Sequence, residues 1–218
     1  GANSIGGKFA DHGVANHLIN PNRSICSGSE ITVGGFMTPG PHDPRSICNA
    51  MLDISTGRVV TNLALQKLLY FAHGLYLVES GAPLVSGYFE AWKYGPVHPS
   101  AYAAFKMAGD QPISFRAVGI DPLTGGTRLI ASLADEHALR IVDRVMASFG
   151  QMTAGRLVEI SHAPKAPWAA VVAQGKLGVS FGMRIPDSVI LERFKQHKVT
   201  VGTAPVVGEP GEDSPIYS

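Results

Sequence analysis

The stretch from Thr61 to Gly81 constrains this chain more than any other. Leu65, Leu68, Leu69, Ala72, Leu75 and Tyr76 recur there at helical spacing. Thr61 or Asn62 caps the run, and Gly81 with Pro83 ends it. So broad a stripe does not suit a helix with one face in water, and the spacing predicts a central helix covered on most sides. Helix signals dominate the remaining sequence. Asp43-Pro44 is an N-cap followed by proline at the first helical position, and Ile47, Ala50, Met51 and Ile54 follow before Gly57. Pro99 opens a helix with Tyr102, Ala103 and Phe105, closed by Gly109. Ser132-Leu-Ala-Asp135 resembles a capping box ahead of Leu139, Val142, Met146 and Phe149, and Gly150 ends that helix. Further helices are expected from Thr153 to Ile160, from Pro167 to Gln174, and after Pro186 with Val189, Ile190 and Phe194.

Strand signals are few. Tyr88 to Tyr94 is rich in aromatic residues and reads as a short strand, with Gly95-Pro96 turning the chain. Residues 110–131 read as a loop carrying strands at Ile113–Val118 and Arg128–Ala131. The expected fold is mainly α: a compact helical domain of six to seven helices with at most a small β ribbon. It occupies residues 43–198. Residues 1–42, rich in Gly, Pro and Asn, are read as a flexible or partner-docking arm with Ile31, Phe36 and Met37 as its apolar contacts. Gly1 is not an initiator methionine, so the arm is read as processed or in part foreign, with Met37 as a candidate native start. Residues 199–218, with three acids and no base, are read as a disordered tail.

Composition narrows the function classes. The 218 residues carry 18 Lys and Arg against 17 Asp and Glu, a net charge of +1. No field of one sign results, so DNA binding is not supported. Arg140, Arg144 and Lys165 read as a solvated surface. Apolar runs such as Leu68 to Ala72 fall far short of the ~20 residues that span a bilayer. Cys26 and Cys48 form no CxxC pair, and no secretory signal opens the chain. A reducing, cytoplasmic setting is expected.

Searches for chemistry return little. There is no GxxxxGK[ST], no GxGxxG after a strand, no HExxH and no GxSxG. His12 and His17, near Cys26, lack zinc spacing. His73 is expected to make an interhelical hydrogen bond. His162 sits at a helix end, where a protonated imidazole would suit the exposed carbonyls. Cys48 lies beside the apolar face of its helix and reads as structural. Glu79 and Glu90 form no acid–base pair. The expectation is a non-enzyme without metal or cofactor. An enzyme of unknown type, using His73 or His98 in a pocket, is the reading set against it.

One segment stands apart. Between Glu90 and Tyr102 lie Trp92, Tyr94, His98, two prolines and Gly95. Aromatic residues with polar tips at that density either close a core corner or anchor a partner. Trp168 shares the ambiguity.

Thr61-Asn-Leu-Ala-Leu-Gln-Lys-Leu-Leu-Tyr-Phe-Ala72, followed by Ala91-Trp-Lys-Tyr-Gly-Pro-Val97, resembles the SocA-like Panacea domain. Leu157 to His162 and Pro167-Trp168 are similar to its closing motif, so the resemblance spans about residues 44–197. It implies an antitoxin of a bacterial or phage toxin–antitoxin system, which binds and neutralises a protein toxin encoded beside it. A second implied role is an adaptor that hands the toxin to an ATP-dependent protease. The resemblance carries over no catalytic residue and no cofactor. The residues expected to meet the partner are Gln66 and Lys67, placed on the polar side of the central helix, with Trp92, Tyr94, Val97, His98, Tyr102 and Trp168, and Lys106 at the rim. Whether the chain forms a homo-oligomer is left open.

Overall fold

The computed structural model describes residues 40–55, 57–175 and 183–196. The arm as far as residue 39, with His12, His17, Cys26, Ile31, Phe36 and Met37, and the tail 199–218 lie outside the described residues. Seven helices are present among those described: α1 (Pro44–Ile54), α2 (Asn62–Ser80), α3 (Pro99–Phe105), α4 (Glu136–Phe149), α5 (Ala154–Ser161), α6 (Pro167–Gly175) and α7 (Asp187–Gln196). Five short strands accompany them: β1 (Phe89–Trp92), β2 (Gly95–Val97), β3 (Val118–Ile120), β4 (Thr127–Leu129) and β5 (Met183–Ile185). The fold is mainly α.

Helix α2 is the axis. The Thr61 hydroxyl accepts the Ala64 N–H, and Gly81 ends the helix in the left-handed conformation at φ 73°. Helices α1, α3, α4, α5 and α7 and strand β2 all pack against it. Its buried residues include Leu65, Leu68, Leu69, Ala72 and Tyr76, and also Gln66, Lys67, Tyr70 and His73. Gly74 leaves room for α7: a Cβ at Gly74 would overlap the Phe194 ring. His73 Nε2 meets Asp187 Oδ1 at 3.0 Å in the first turn of α7, which is the interhelical bond expected for this histidine. Cys48 is fully buried on α1.

The fold is sewn shut ahead of α1. His42 N donates to Leu84 O, and His42 O accepts from Ser86 N, both at 2.8 Å. His42 Nε2 also reaches Asp135 Oδ2 at 3.0 Å. Asp43 caps α1 by accepting the Arg45 N–H at 2.9 Å.

Several local expectations are corrected. Gly95-Pro96 does not turn the chain; Lys93-Tyr94 does, and Gly95 already pairs with Trp92. A two-residue loop suffices because Gly95 takes φ 101° at the hairpin's return. The strand Met183–Ile185 was not expected, and it pairs with β1 to give an antiparallel sheet in the order β2-β1-β5. The ribbon strands are β3 and β4, displaced from the expected ranges. The cap of α4 is Asp135 rather than Ser132, with Asp135 Oδ1 accepting the N–H groups of His137 and Ala138. Ile54, the last residue of α1, is exposed.

Candidate functional site

The two motifs that carry the resemblance meet where α2 faces β2. Gln66 Oε1 accepts the His98 N–H at 3.0 Å, and Gln66 Nε2 donates to Asn62 Oδ1 at 3.1 Å. Lys67 Nζ donates to Pro96 O at 3.0 Å, and Lys67 is 0 % exposed. Gln66 and Lys67, expected on the polar side of the helix as partner contacts, are therefore buried rather than open to a partner. The β1–β2 hairpin covers that side, and its backbone supplies the donors and acceptors that two buried polar side chains need.

The closing motif arrives at the same place. Gly95 is packed so closely that a Cβ would stand 2.6 Å from Ser161 Oγ, 3.0 Å from Lys67 Cε and 3.3 Å from His162 Nε2. His162 closes α5 and stacks on Trp168 with ring centroids 3.7 Å apart and planes 10° from parallel. Trp168 Nε1 donates to Trp92 O at 2.9 Å, and Trp92 Nε1 donates to Glu90 Oε2 at 2.7 Å. Tyr102 sets its ring edge-on to Trp92 at 4.8 Å. Burial, and then the charge of Lys67, hold the His162 pKa down to about 4. The imidazole is therefore neutral near pH 7, which corrects the expectation of a protonated ring at the helix end. Its Nε2 is buried without a hydrogen-bond partner among the described residues. Three segments far apart in sequence thus form one internal lock that pins the hairpin to α2 and α5.

The enzyme reading looks for convergent reactive groups around His73 and His98. Both rings are buried against Phe89, at 5.1 and 5.3 Å. His98 Nε2 lies 2.9 Å from Ser86 O and so must be the donor, and burial lowers its pKa. Each leaves a buried Nδ1 unpartnered rather than sharing a substrate-sized space. A groove of about 490 Å3 lies elsewhere, lined by His42, Asp43, Ser46 and residues 128–135. Its carboxylates are already engaged. Burial opposes ionisation of Asp43 and Asp135, but Arg45 on the first, and the α4 N–H groups with His42 on the second, outweigh it and hold both below the usual carboxylate range. Among the described residues no group of His, Cys, Asp and Glu is arranged to hold a metal ion.

The comparisons with known proteins follow the same residues. The family model described as Antitoxin SocA-like, Panacea domain, matches residues 65–169, from the middle of the first motif to just past Trp168. Antitoxin SocA of Caulobacter vibrioides (strain NA1000 / CB15N) is 41% identical over 179 residues, covering 81% of this chain and 95% of that protein. This chain belongs to the SocA-like Panacea family. No solved structure matches it significantly. The motifs that identify this family member at the sequence level are, in its fold, the parts of the internal lock.

That result sorts the nine residues expected to meet a partner. Gln66, Lys67, Trp92, Val97 and His98 are buried and are lock or core residues in this structure. Tyr94, Tyr102 and Trp168 are half-buried, and Lys106 is exposed. The apolar surface lies mainly elsewhere. Val118, Ile120, Leu123 and Leu129, in or beside the β3–β4 ribbon, are exposed large hydrophobic side chains. Sequence reasoning missed them because alternating apolar residues at a strand ordinarily mark a buried face. Among the described residues, no helix is long and apolar enough to cross a membrane.

Proposed function

We propose that this chain is an antitoxin that neutralises a cognate protein toxin by direct binding in the cytoplasm. The observation that carries the reading is the 41% identity to Antitoxin SocA across 95% of that protein. The matched Panacea model supports it. A toxin is silenced when its active surface is covered or when an inactive shape is favoured. A stable interface of this kind buries about 800 Å2 on each partner. The internal lock suits that task, since a surface held rigid loses little entropy on binding. In this reading the buried Gln66, Lys67, Trp92, Val97 and His98 act by fixing the hairpin. Tyr94, Tyr102, Trp168 and Lys106 supply peripheral contacts.

The test is growth. The product of the gene adjacent to that of this chain is expressed alone and together with the full chain. Arrest in the first case and recovery in the second support the proposal. Persistent arrest in the presence of folded, abundant chain contradicts it.

A further inference from the structure

The chain between β4 and α4 has backbone to spare. Asn49 on α1 holds both backbone groups of Ala117, accepting its N–H at 2.8 Å and donating to its carbonyl oxygen at 3.0 Å. The β3–β4 ladder ends beside this pair, at Val118 with Leu129. On the β3 side, Arg45 Nη1 also donates to Val118 O at 3.4 Å. On the β4 side, the chain runs on without such cover. Ala131, Ser132, Leu133 and Ala134 form no turn, bend or helix, and they make no backbone hydrogen bond among the described residues. They keep the unpaired N–H and C=O groups of a sheet edge.

The unpaired segment walls a groove. Every residue from 128 to 135 lines it, and His42, Asp43 and Ser46 form the facing wall at the start of α1. Successive side chains along extended chain point to opposite faces. A groove that touches each residue of such a run therefore follows its edge rather than one of its faces. Its volume, about 490 Å3, lies in the range of clefts that hold ligands. The segment is also held in place. Leu133 packs on the core, and Asp135 caps α4 by accepting the His137 and Ala138 N–H groups. Backbone fixed in this way loses little entropy on pairing.

Charge narrows the occupant. Of the ionic groups in and beside the groove, Asp135 is engaged by His42 at 3.0 Å and Asp43 by Arg45 at 2.7 Å. Arg128 lines the groove and has no acidic partner among the described residues. Its side chain lies on the groove side of the ribbon. A Cβ on buried Gly119 would stand 3.9 Å from Arg128 Nε and 3.5 Å from Ile130 Cδ1, so both side chains cross the face that turns to the body.

We propose that the toxin docks here by strand addition: an extended toxin segment lies in the groove, pairs its backbone with Ala131–Ala134 and sets an acidic side chain against Arg128. The proposal rests on the antitoxin reading above. In strand addition the main-chain bonds supply affinity and the side chains beside them supply specificity.

The test uses the full chain and the purified adjacent-gene product, by titration and by hydrogen exchange of the free and mixed proteins. Binding by the wild-type chain upholds the antitoxin reading whatever the surface; no binding at all overturns both. On mixing, amides within 131–134 should gain protection. Ala131→Pro and Ser132→Pro each remove one N–H, and in extended chain those two N–H groups point to opposite edges. One of the two variants is expected to weaken binding by about 30-fold or more, the scale of a hot spot, and the other by far less. Ala131→Ser and Ser132→Ala keep the N–H and should bind as wild type. Arg128→Glu is expected to weaken binding further than Arg128→Lys. Both proline positions are exposed and unbonded, so the variants should keep the wild-type denaturation midpoint. Should a proline variant fail to fold, exchange on the wild-type mixture decides alone. Binding without new protection at 131–134, or wild-type affinity in both folded proline variants, overturns the proposal. So does protection of these amides already present in the free chain: loss on dilution would assign the groove to a second copy, and no dependence on dilution to the chain's own tail.

Discussion

Lys67 shows how a polar residue can be a fold determinant. Its ammonium is buried and donates to Pro96 O. Lys67→Ala is expected to cost about 2–4 kcal/mol, combining a stranded carbonyl with a cavity. Lys67→Met fills the space and should cost less, which urea denaturation would resolve. Gly95 is under two constraints at once, a φ of 101° and the close approach of Ser161 and Lys67. Gly95→Ala should lower stability by about 2–4 kcal/mol in the same assay. His162 sets a pH dependence. Its folded pKa, about 4, lies below the ordinary 6.5. The unfolded chain therefore takes up the proton first as pH falls. The stability due to the neutral ring is complete above about pH 6.5 and is lost between there and pH 4. Part of this ring reaches solvent, so the loss is about 1–2 kcal/mol, discounted for screening. Burial lowers the His98 pKa in the same direction. The denaturation midpoint should fall from pH 7 to pH 4.5, and His162→Phe should flatten that slope.

At the scale of elements, the helices were legible because their ends are written in local chemistry. Asp43-Pro44, Thr61, Thr153, Gly81 and Gly150 mark ends that the structure keeps. The three-residue strand β5 was not legible, since Met-Arg-Ile has no period of its own and is a strand only through its pairing with β1. The burial of Gln66 and Lys67 was hidden for a related reason. Helical spacing tells which side of α2 is polar but not that a hairpin will lie on it. The aromatic segment stood out in the sequence with its role open between core corner and binding anchor; in the fold Trp92, Val97 and His98 are buried. The α2–α7 contact yields a prediction at this scale. Gly74→Leu would push against Phe194 and lift α7, and overpacking of this kind costs about 1–3 kcal/mol. Hydrogen exchange should quicken across 187–196 while α2 and α4 stay protected.

For the molecule as a whole, the residues that identify the family lie inside the fold. The lock joins α2, β2, α5 and α6 into one support, and the ribbon projects from α1 through Asn49. Residues that look most diagnostic in the sequence are thus expected to change stability. Lys67→Ala should reduce neutralisation only as far as it reduces folded protein.

One titration tests neutralisation by binding. The purified adjacent-gene product is assayed for its toxic activity while the full chain is added, with no protease present. Activity should fall in proportion to the added chain and vanish near a fixed stoichiometric ratio. Undiminished activity in the presence of excess folded chain would mean that binding does not neutralise the toxin.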